Sequence, residues 1–139
     1  MIDWSDPKAK ISKYFTVGEA TWLPSWGKYH VPSEQECANI LKLAQAMDKV
    51  REIVKSPIKV HVWIRPEGYN KQIGGAVNSA HITGEAVDWD CMQPCDETRT
   101  RLITYLGELG LRMEDLPGST WVHLDIRPPG ANGHRFFRP

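Results

Sequence analysis

Asn78-Ser79-Ala80-His81-Ile82-Thr83-Gly84-Glu85-Ala86-Val87-Asp88-Trp89-Asp90-Cys91 is the stretch on which the reading of the chain turns. Its first half carries an imidazole, His81, and a glycine, Gly84, that permits a sharp backbone turn. From Gly84 to Asp90 the pattern predicts a strand, with Ala86, Asp88 and Asp90 on one face and Glu85, Val87 and Trp89 on the other. Downstream, Trp121 to Arg127 predicts a second strand, whose apolar face is Val122, Leu124 and Ile126. His123 falls on the opposite face with Trp121, Asp125 and Arg127. His81, Asp88 and His123 together make a three-ligand set typical of a hydrolytic zinc ion with one coordination position open.

The other segments read as the frame that brings these residues together. Ser33 and Glu36 fit a capping box. Behind them Cys37, Ile40, Leu41, Ala44, Met47, Val50 and Val54 recur on one helical face, predicting a main helix over about residues 34–55 that stops at Ser56-Pro57. Ile58, Val60, Val62 and Ile64 alternate with Lys59, His61, Trp63 and Arg65, a strand with one buried face. A short helix is expected after Tyr69, broken by Gly74-Gly75, and a second main helix from an Asp96 cap to Leu109, with Leu102, Ile103, Leu106 and Leu109 inward and Gly110 closing it. Leu111 to Glu114 reads as a short strand and Leu116-Pro117-Gly118 as a turn. Residues 1–32 show little periodicity beyond one helical turn near Val17 to Thr21 and read as an irregular wrap; residues 128–139 read as an extended tail tacked down by Phe136 and Phe137. The expected architecture is one α+β domain over residues 1–139, a small antiparallel sheet carrying the metal site and packed against two main helices.

Composition narrows the function. Lysine plus arginine, 17, equals aspartate plus glutamate, 17, so no basic field is available for nucleic acid or an anionic membrane. A metal-dependent nuclease is disfavoured for the same reason. No apolar run approaches the roughly 20 residues needed to span a bilayer, and no membrane insertion is expected. The start, Met1-Ile2-Asp3-Trp4-Ser5-Asp6, lacks the layout of a secretory signal, so the chain is expected to be made in the cytoplasm and released by other means. Cys37, Cys91 and Cys95 form no disulfide framework, although the C-x-x-x-C spacing of the last two is open to pairing or to a place near metal. His30, His61 and His134 read as surface or hydrogen-bonded structural residues. Trp22, Trp26, Trp63, Trp89 and Trp121 could line a groove, with Trp63 and Trp121 favoured and the others packed in the body.

Ser79-Ala80-His81-Ile82-Thr83-Gly84-Glu85-Ala86-Val87-Asp88, taken with Trp121-Val122-His123, resembles the zinc peptidases that cut peptidoglycan stem peptides. That family includes D-Ala-D-Ala carboxypeptidases, D,D-dipeptidases, phage L-alanyl-D-glutamate endolysins and murein endopeptidases, and the Hedgehog signalling domain shares its fold. The similarity spans about residues 58–127. Arg65-Pro66-Glu67-Gly68-Tyr69-Asn70 and Lys13-Tyr14-Phe15-Thr16-Val17-Gly18-Glu19-Ala20 look like the murein-endopeptidase and phage branch.

The resemblance implies a Zn2+ cofactor held by His81, Asp88 and His123, and a peptidoglycan peptide contacted by Arg65 and Ser79. It implies a metallopeptidase, carboxypeptidase or endopeptidase, that degrades cell wall as a lysis enzyme or a virion component. The sequence departs from the pattern at one point. The best-known members carry an acid three residues before the last histidine ligand, where this chain has Thr120. Asp125 is the first substitute as catalytic base, with a role in orienting a ligand as its other reading; Glu114 and Asp115 follow. The missing acid leaves an alternative open, a catalytically silent metal-binding module that recognises cell wall or forms part of a virion.

Overall fold

The structure is a computed structural model that describes all 139 residues. Its elements follow in chain order as α1 (Val17–Thr21), β1 (Trp22–Leu23), β2 (Lys28–Tyr29), α2 (Glu34–Val54), β3 (Lys59–Val62), α3 (Glu67–Gln72), β4 (Ala86–Asp90), α4 (Cys95–Leu102), α5 (Leu106–Leu109), β5 (Arg112–Glu114), β6 (Val122–Asp125) and β7 (Phe136–Phe137). Short 3-10 turns cover Ala80–Thr83 and Ile103–Tyr105. The fold is α+β, and no helix is long and apolar enough to cross a membrane.

The capping box forms as read: the Ser33 hydroxyl accepts from the Glu36 amide and the Glu36 carboxylate accepts from the Ser33 amide. From there α2 buries Ile40, Leu43, Ala44, Met47, Val50 and Val54. These side chains join Val87 and Trp89 of β4, Val122 and Leu124 of β6, and Leu102 and Leu106 of the second helical segment in one core. Each such aliphatic side chain stabilises the fold by roughly 1.5–3 kcal/mol on burial.

The five-stranded sheet has the order β3-β4-β6-β5-β7. The first four strands pair antiparallel, whereas β7 joins β5 in parallel. The tail expected to be extended is therefore an edge strand in part, because Phe136 and Phe137 find the open side of β5. The N-terminal wrap is also more ordered than its composition suggests. It holds α1 and the β1-β2 hairpin, and it buries Ile11, Phe15, Val17, Ala20 and Leu23.

Other departures from the sequence reading have local causes. Strand β3 ends at Val62, short of the reading, and beyond it the alternation stops: Trp63 and Ile64 are both buried. Trp63 is thus a core residue, not a groove residue. Trp89 is equally buried. The second main helix starts at Cys95 and switches to a 3-10 turn at Ile103, which leaves Ile103 exposed. Asp96 does not cap it; its carboxylate pairs with Arg99 and accepts from the Gly118 amide. All three cysteines are free.

Gly84 shows how tightly the loop before β4 is held. It adopts φ 78° at the end of the 3-10 turn, and a Cβ there would stand 3.0 Å from Ile40 Cγ1 on α2. Gly84→Ala should lower unfolding free energy by about 2 kcal/mol through the left-handed conformation alone, with the Ile40 contact adding to it. Denaturant unfolding of the variant measures the loss; a change below about 0.5 kcal/mol would contradict this account of the loop.

Candidate metal centre and catalytic cleft

Register builds the centre. Across the β4/β6 ladder Asp88 lies directly opposite His123, and Ala86 opposite Asp125. Across β5/β6, Arg112 lies opposite Asp125. Directly opposed residues hold their Cβ atoms about 4.5–5.5 Å apart, close enough for ion pairs. Because Val87, Trp89, Val122 and Leu124 point into the core, Asp88, His123 and Asp125 stand on the other face.

His81 reaches this face from the 3-10 turn. Trp63 supports it twice: its carbonyl accepts from His81 Nδ1 at 2.7 Å, and its indole donates to the Gly84 carbonyl at 3.3 Å. The His81 carbonyl in turn accepts from the Arg65 amide at 2.8 Å. From α2, Asn39 donates to the Thr83 carbonyl at 2.9 Å.

The structure brings His81, Asp88 and His123 together, with one donor atom from each within 4.8 Å of the others. Since a carbonyl can only accept, His81 Nδ1 carries the hydrogen and Nε2 presents a lone pair. That Nε2 is buried without a hydrogen-bond partner, although Asp88 Oδ1 lies 3.1 Å away. Asp88 Oδ1 is also 2.9 Å from His123 Nδ1. On the far side of the His123 ring, Nε2 lies 2.8 Å from Asp125 Oδ2. With Nε2 donating to that carboxylate, Nδ1 likewise presents a lone pair. Acceptors that face one another at such distances need a proton or a metal ion between them. Two neutral imidazole nitrogens and a carboxylate oxygen are a donor set suited to a divalent transition metal, and the orphaned His81 nitrogen fits that use.

Asp125 is fully buried and stands behind His123, away from Asp88. Arg112 grips it with both Nε (2.8 Å) and Nη2 (3.1 Å), and the Arg127 amide donates to it at 3.1 Å. Its carboxylate is thus taken up by partners within the protein. Thr120 lies outside the cleft, in a depression with Asp90, Cys95 and Ser119. Asp115 points to an ion pair with Arg138 at 3.2 Å. Glu114, on the same face of β5 as Arg112, lines the cleft with its Oε1 3.8 Å from His123 Nδ1. Burial raises its carboxyl pKa, and the nearby Asp88 and Asp125 charges add to that against the pull of His123 and His81.

A cleft of about 340 Å³ opens over the centre, and Arg65, Ser79, Trp121, Arg127 and Phe137 contribute to its wall. Arg65 donates from Nη2 to Ser79 Oγ at 3.1 Å, while its Nε is buried with no partner. Burial pulls the pKa of this guanidinium down, against the charges of Asp88 and Glu114, yet arginine stays charged. Ser79 Oγ also accepts from the His81 amide at 3.2 Å, which leaves its own hydrogen free to donate. Of the tryptophans, Trp121 stands at the rim, 37% exposed. The remaining histidines are elsewhere: His30 pairs with Glu36 and His61 with Asp90.

Sequence reasoning did not assign Arg112, Arg127 or Phe137 to the site, and it ranked Glu114 behind Asp125. The i, i+2 pair Arg112 and Glu114 was readable as one face of a strand. The strand that lies opposite was not.

Fold and site together define a hydrolase-type centre, three convergent metal-capable donors at the floor of a charged cleft. A comparison with curated proteins gives no match. The family model for Peptidase M15 matches residues 13–125, most of the chain and all three donors. The protein belongs to the Peptidase M15 family, metal-dependent peptidases that include the zinc D-Ala-D-Ala carboxypeptidases.

The electrostatics would make metal binding at this group depend on pH. Burial disfavours the His123 imidazolium, but hydrogen bonds to Asp125 and Asp88 and the charges of Asp88 and Glu114 outweigh it and push the pKa up to about 9. With no cation to hold, His123 is thus protonated at neutral pH and must lose that proton to become a ligand. Apparent metal affinity should therefore rise by about tenfold per pH unit between pH 6.5 and 8.5 and level off above about 9. Calorimetric titration in buffers of different ionisation enthalpy should find about one proton released per metal bound at pH 7; release of none would contradict the assignment.

Proposed function

We propose that this protein is a zinc-dependent peptidase that hydrolyses amide bonds in peptidoglycan stem peptides or cross-links, as a carboxypeptidase or endopeptidase. The observation that carries the reading is the convergence of His81 Nε2, Asp88 Oδ1 and His123 Nδ1, with the outer side of each imidazole already occupied by the protein. The Peptidase M15 membership supports it, and so does an arrangement of sheet and helices that we take to be of the D,D-peptidase and Hedgehog type.

His81, Asp88 and His123 would hold the zinc. A zinc ion in such a site lowers the pKa of a water molecule and polarises a carbonyl. The chain's own residues do the remaining work. Glu114 takes a proton from the attacking water and delivers it to the leaving nitrogen; the raised pKa of its carboxyl suits a group that must both accept and return a proton. Asp125 keeps the His123 ring in the tautomer that points Nδ1 inward. Arg65, at the cleft wall, meets a substrate carboxylate with its guanidinium, and Ser79 offers its hydroxyl hydrogen to a substrate carbonyl. Trp121 supplies an apolar wall for the peptide. To meet such a substrate the protein would act on the cell wall after release, free or as part of a virion.

Zinc-loaded protein incubated with purified murein should release peptide fragments detectable by mass spectrometry. Glu114→Gln should keep zinc within about twofold and lose roughly 10²-fold or more in kcat, whereas His123→Ala should lose the zinc. Arg65→Ala should act mainly on KM. Full zinc occupancy with no turnover of murein would favour the silent metal-binding module over the peptidase.

A further inference from the structure

The family match ends at Asp125. Beyond it the chain runs through Pro128, Pro129 and Gly130 and returns to the sheet as β7, on the one edge of β5 that β6 leaves open. Backbone bonds fasten it, among them Met113 N to the Arg135 carbonyl at 2.7 Å and Asp115 N to the Phe137 carbonyl at 2.7 Å. These two flank Glu114, whose Cα partner in the ladder is Phe137.

Phe137 then does more than pack. Its ring covers the Arg112 guanidinium with 4.2 Å between the Cζ atom and the ring centroid, and it meets His123 edge-on at 6.4 Å between centroids. Arg112 grips Asp125, and Asp125 holds the ring nitrogen of His123 that faces away from Asp88. An aromatic face over a guanidinium attracts it electrostatically and shields it from water, which strengthens the ion pair beneath.

We propose that β7 is a positioning strap for the cleft: Phe137 caps Arg112 and so stiffens the Arg112–Asp125–His123 relay, while the flanking backbone bonds set Glu114 beside it. Phe137 and Arg112 are positioning residues, since both act through others. The proposal rests on the zinc reading above and adds to it a segment outside the family match. The ring face, not apolar bulk, is what the relay uses. Phe137→Tyr keeps the face; Phe137→Leu keeps bulk without it. The exposed ion pair of Arg138 with Asp115 adds little to holding the strap.

The test compares full-length wild type, Phe137→Ala, Phe137→Leu and Phe137→Tyr by Zn2+ titration against a competing chelator, with circular dichroism melts and murein kinetics alongside. Phe137→Ala should weaken zinc binding about tenfold, the effect common for partners that orient a metal ligand. It should also lower kcat, since Glu114 and His123 both lean on the strap. Phe137→Tyr should restore zinc affinity to within about threefold of wild type, and Phe137→Leu should not. Should Phe137→Ala melt below the assay temperature, the Tyr and Leu variants decide. Zinc affinity in Phe137→Ala within twofold of wild type, or equal rescue by Leu and Tyr, would overturn the proposal. Wild type that binds no zinc would overturn the metal reading and the strap with it. Wild type that binds zinc but leaves murein intact would overturn the substrate alone, and zinc affinity would still judge the strap.

Discussion

Two imidazoles and a carboxylate converge on a single point where a proton or a cation must stand between them, and the sheet holds them there. Each imidazole is pinned from behind. The Trp63 carbonyl fixes the His81 tautomer, Asp125 fixes that of His123, and Arg112 fixes Asp125. The β4/β6 register supplies the rest, because Asp88 and His123 are opposed partners. A slip of one residue would turn Asp88 and His123 into the core and Val87 and Leu124 out of it. Core burial and site geometry are thus enforced by the same alternation, and neither can shift without the other.

Charge follows from that constraint. The cleft gathers Asp88, Glu114 and Asp125 on one side of the account and Arg65, Arg112 and Arg127 on the other. Two of the guanidiniums are occupied within the protein. Arg112 clamps Asp125, and Arg127 pairs with Glu85 at 3.4 Å and reaches the carbonyls of Asn78 and Ser79. Only Arg65 combines burial with an unpartnered donor. A buried donor without an acceptor costs about 1–3 kcal/mol, a cost that an incoming carboxylate would relieve. This sets Arg65 apart from its two neighbours of equal charge and is why the proposed reading gives it the substrate.

Much of the frame was legible from periodicity. The Ser33 box, the apolar face of α2 and the alternation on β4 and β6 all rest on local sequence, and the structure places those elements within a few residues of the reading. Where local pattern failed, a longer-range contact had intervened. Strand β3 stops at Val62, and Trp63 beyond it is buried, where its indole and carbonyl both brace the His81 loop. The hairpin and the parallel docking of β7 depend on pairings between distant segments, which composition does not encode. For the site, residue types pointed to His81, Asp88 and His123. The rank of Asp125 over Glu114 came from counting along one strand, and the deciding information lay across strands: Arg112 opposite Asp125 commits that carboxylate, and leaves Glu114 facing the cleft.

That difference explains how the chain can lack an acid at Thr120 and still hold one at the cleft. A proton acceptor must lie within reach of the attacking water; its position along the polymer is immaterial. Strands β5 and β6 run side by side, so a carboxylate on β5 can stand near His123 as readily as one on the loop before it. The loop has another duty. The buried Arg99 donates to Ser119 Oγ at 3.1 Å and to the Trp121 carbonyl at 2.9 Å, tying the segment around Thr120 to α4 and turning Trp121 to the rim. An acid three residues before His123 would sit in that tethered segment beside Asp96 and Asp90, among like charges. On the reading proposed here, an acid on β5 stands beside the His123 nitrogen that faces Asp88, on a strand fastened from both edges.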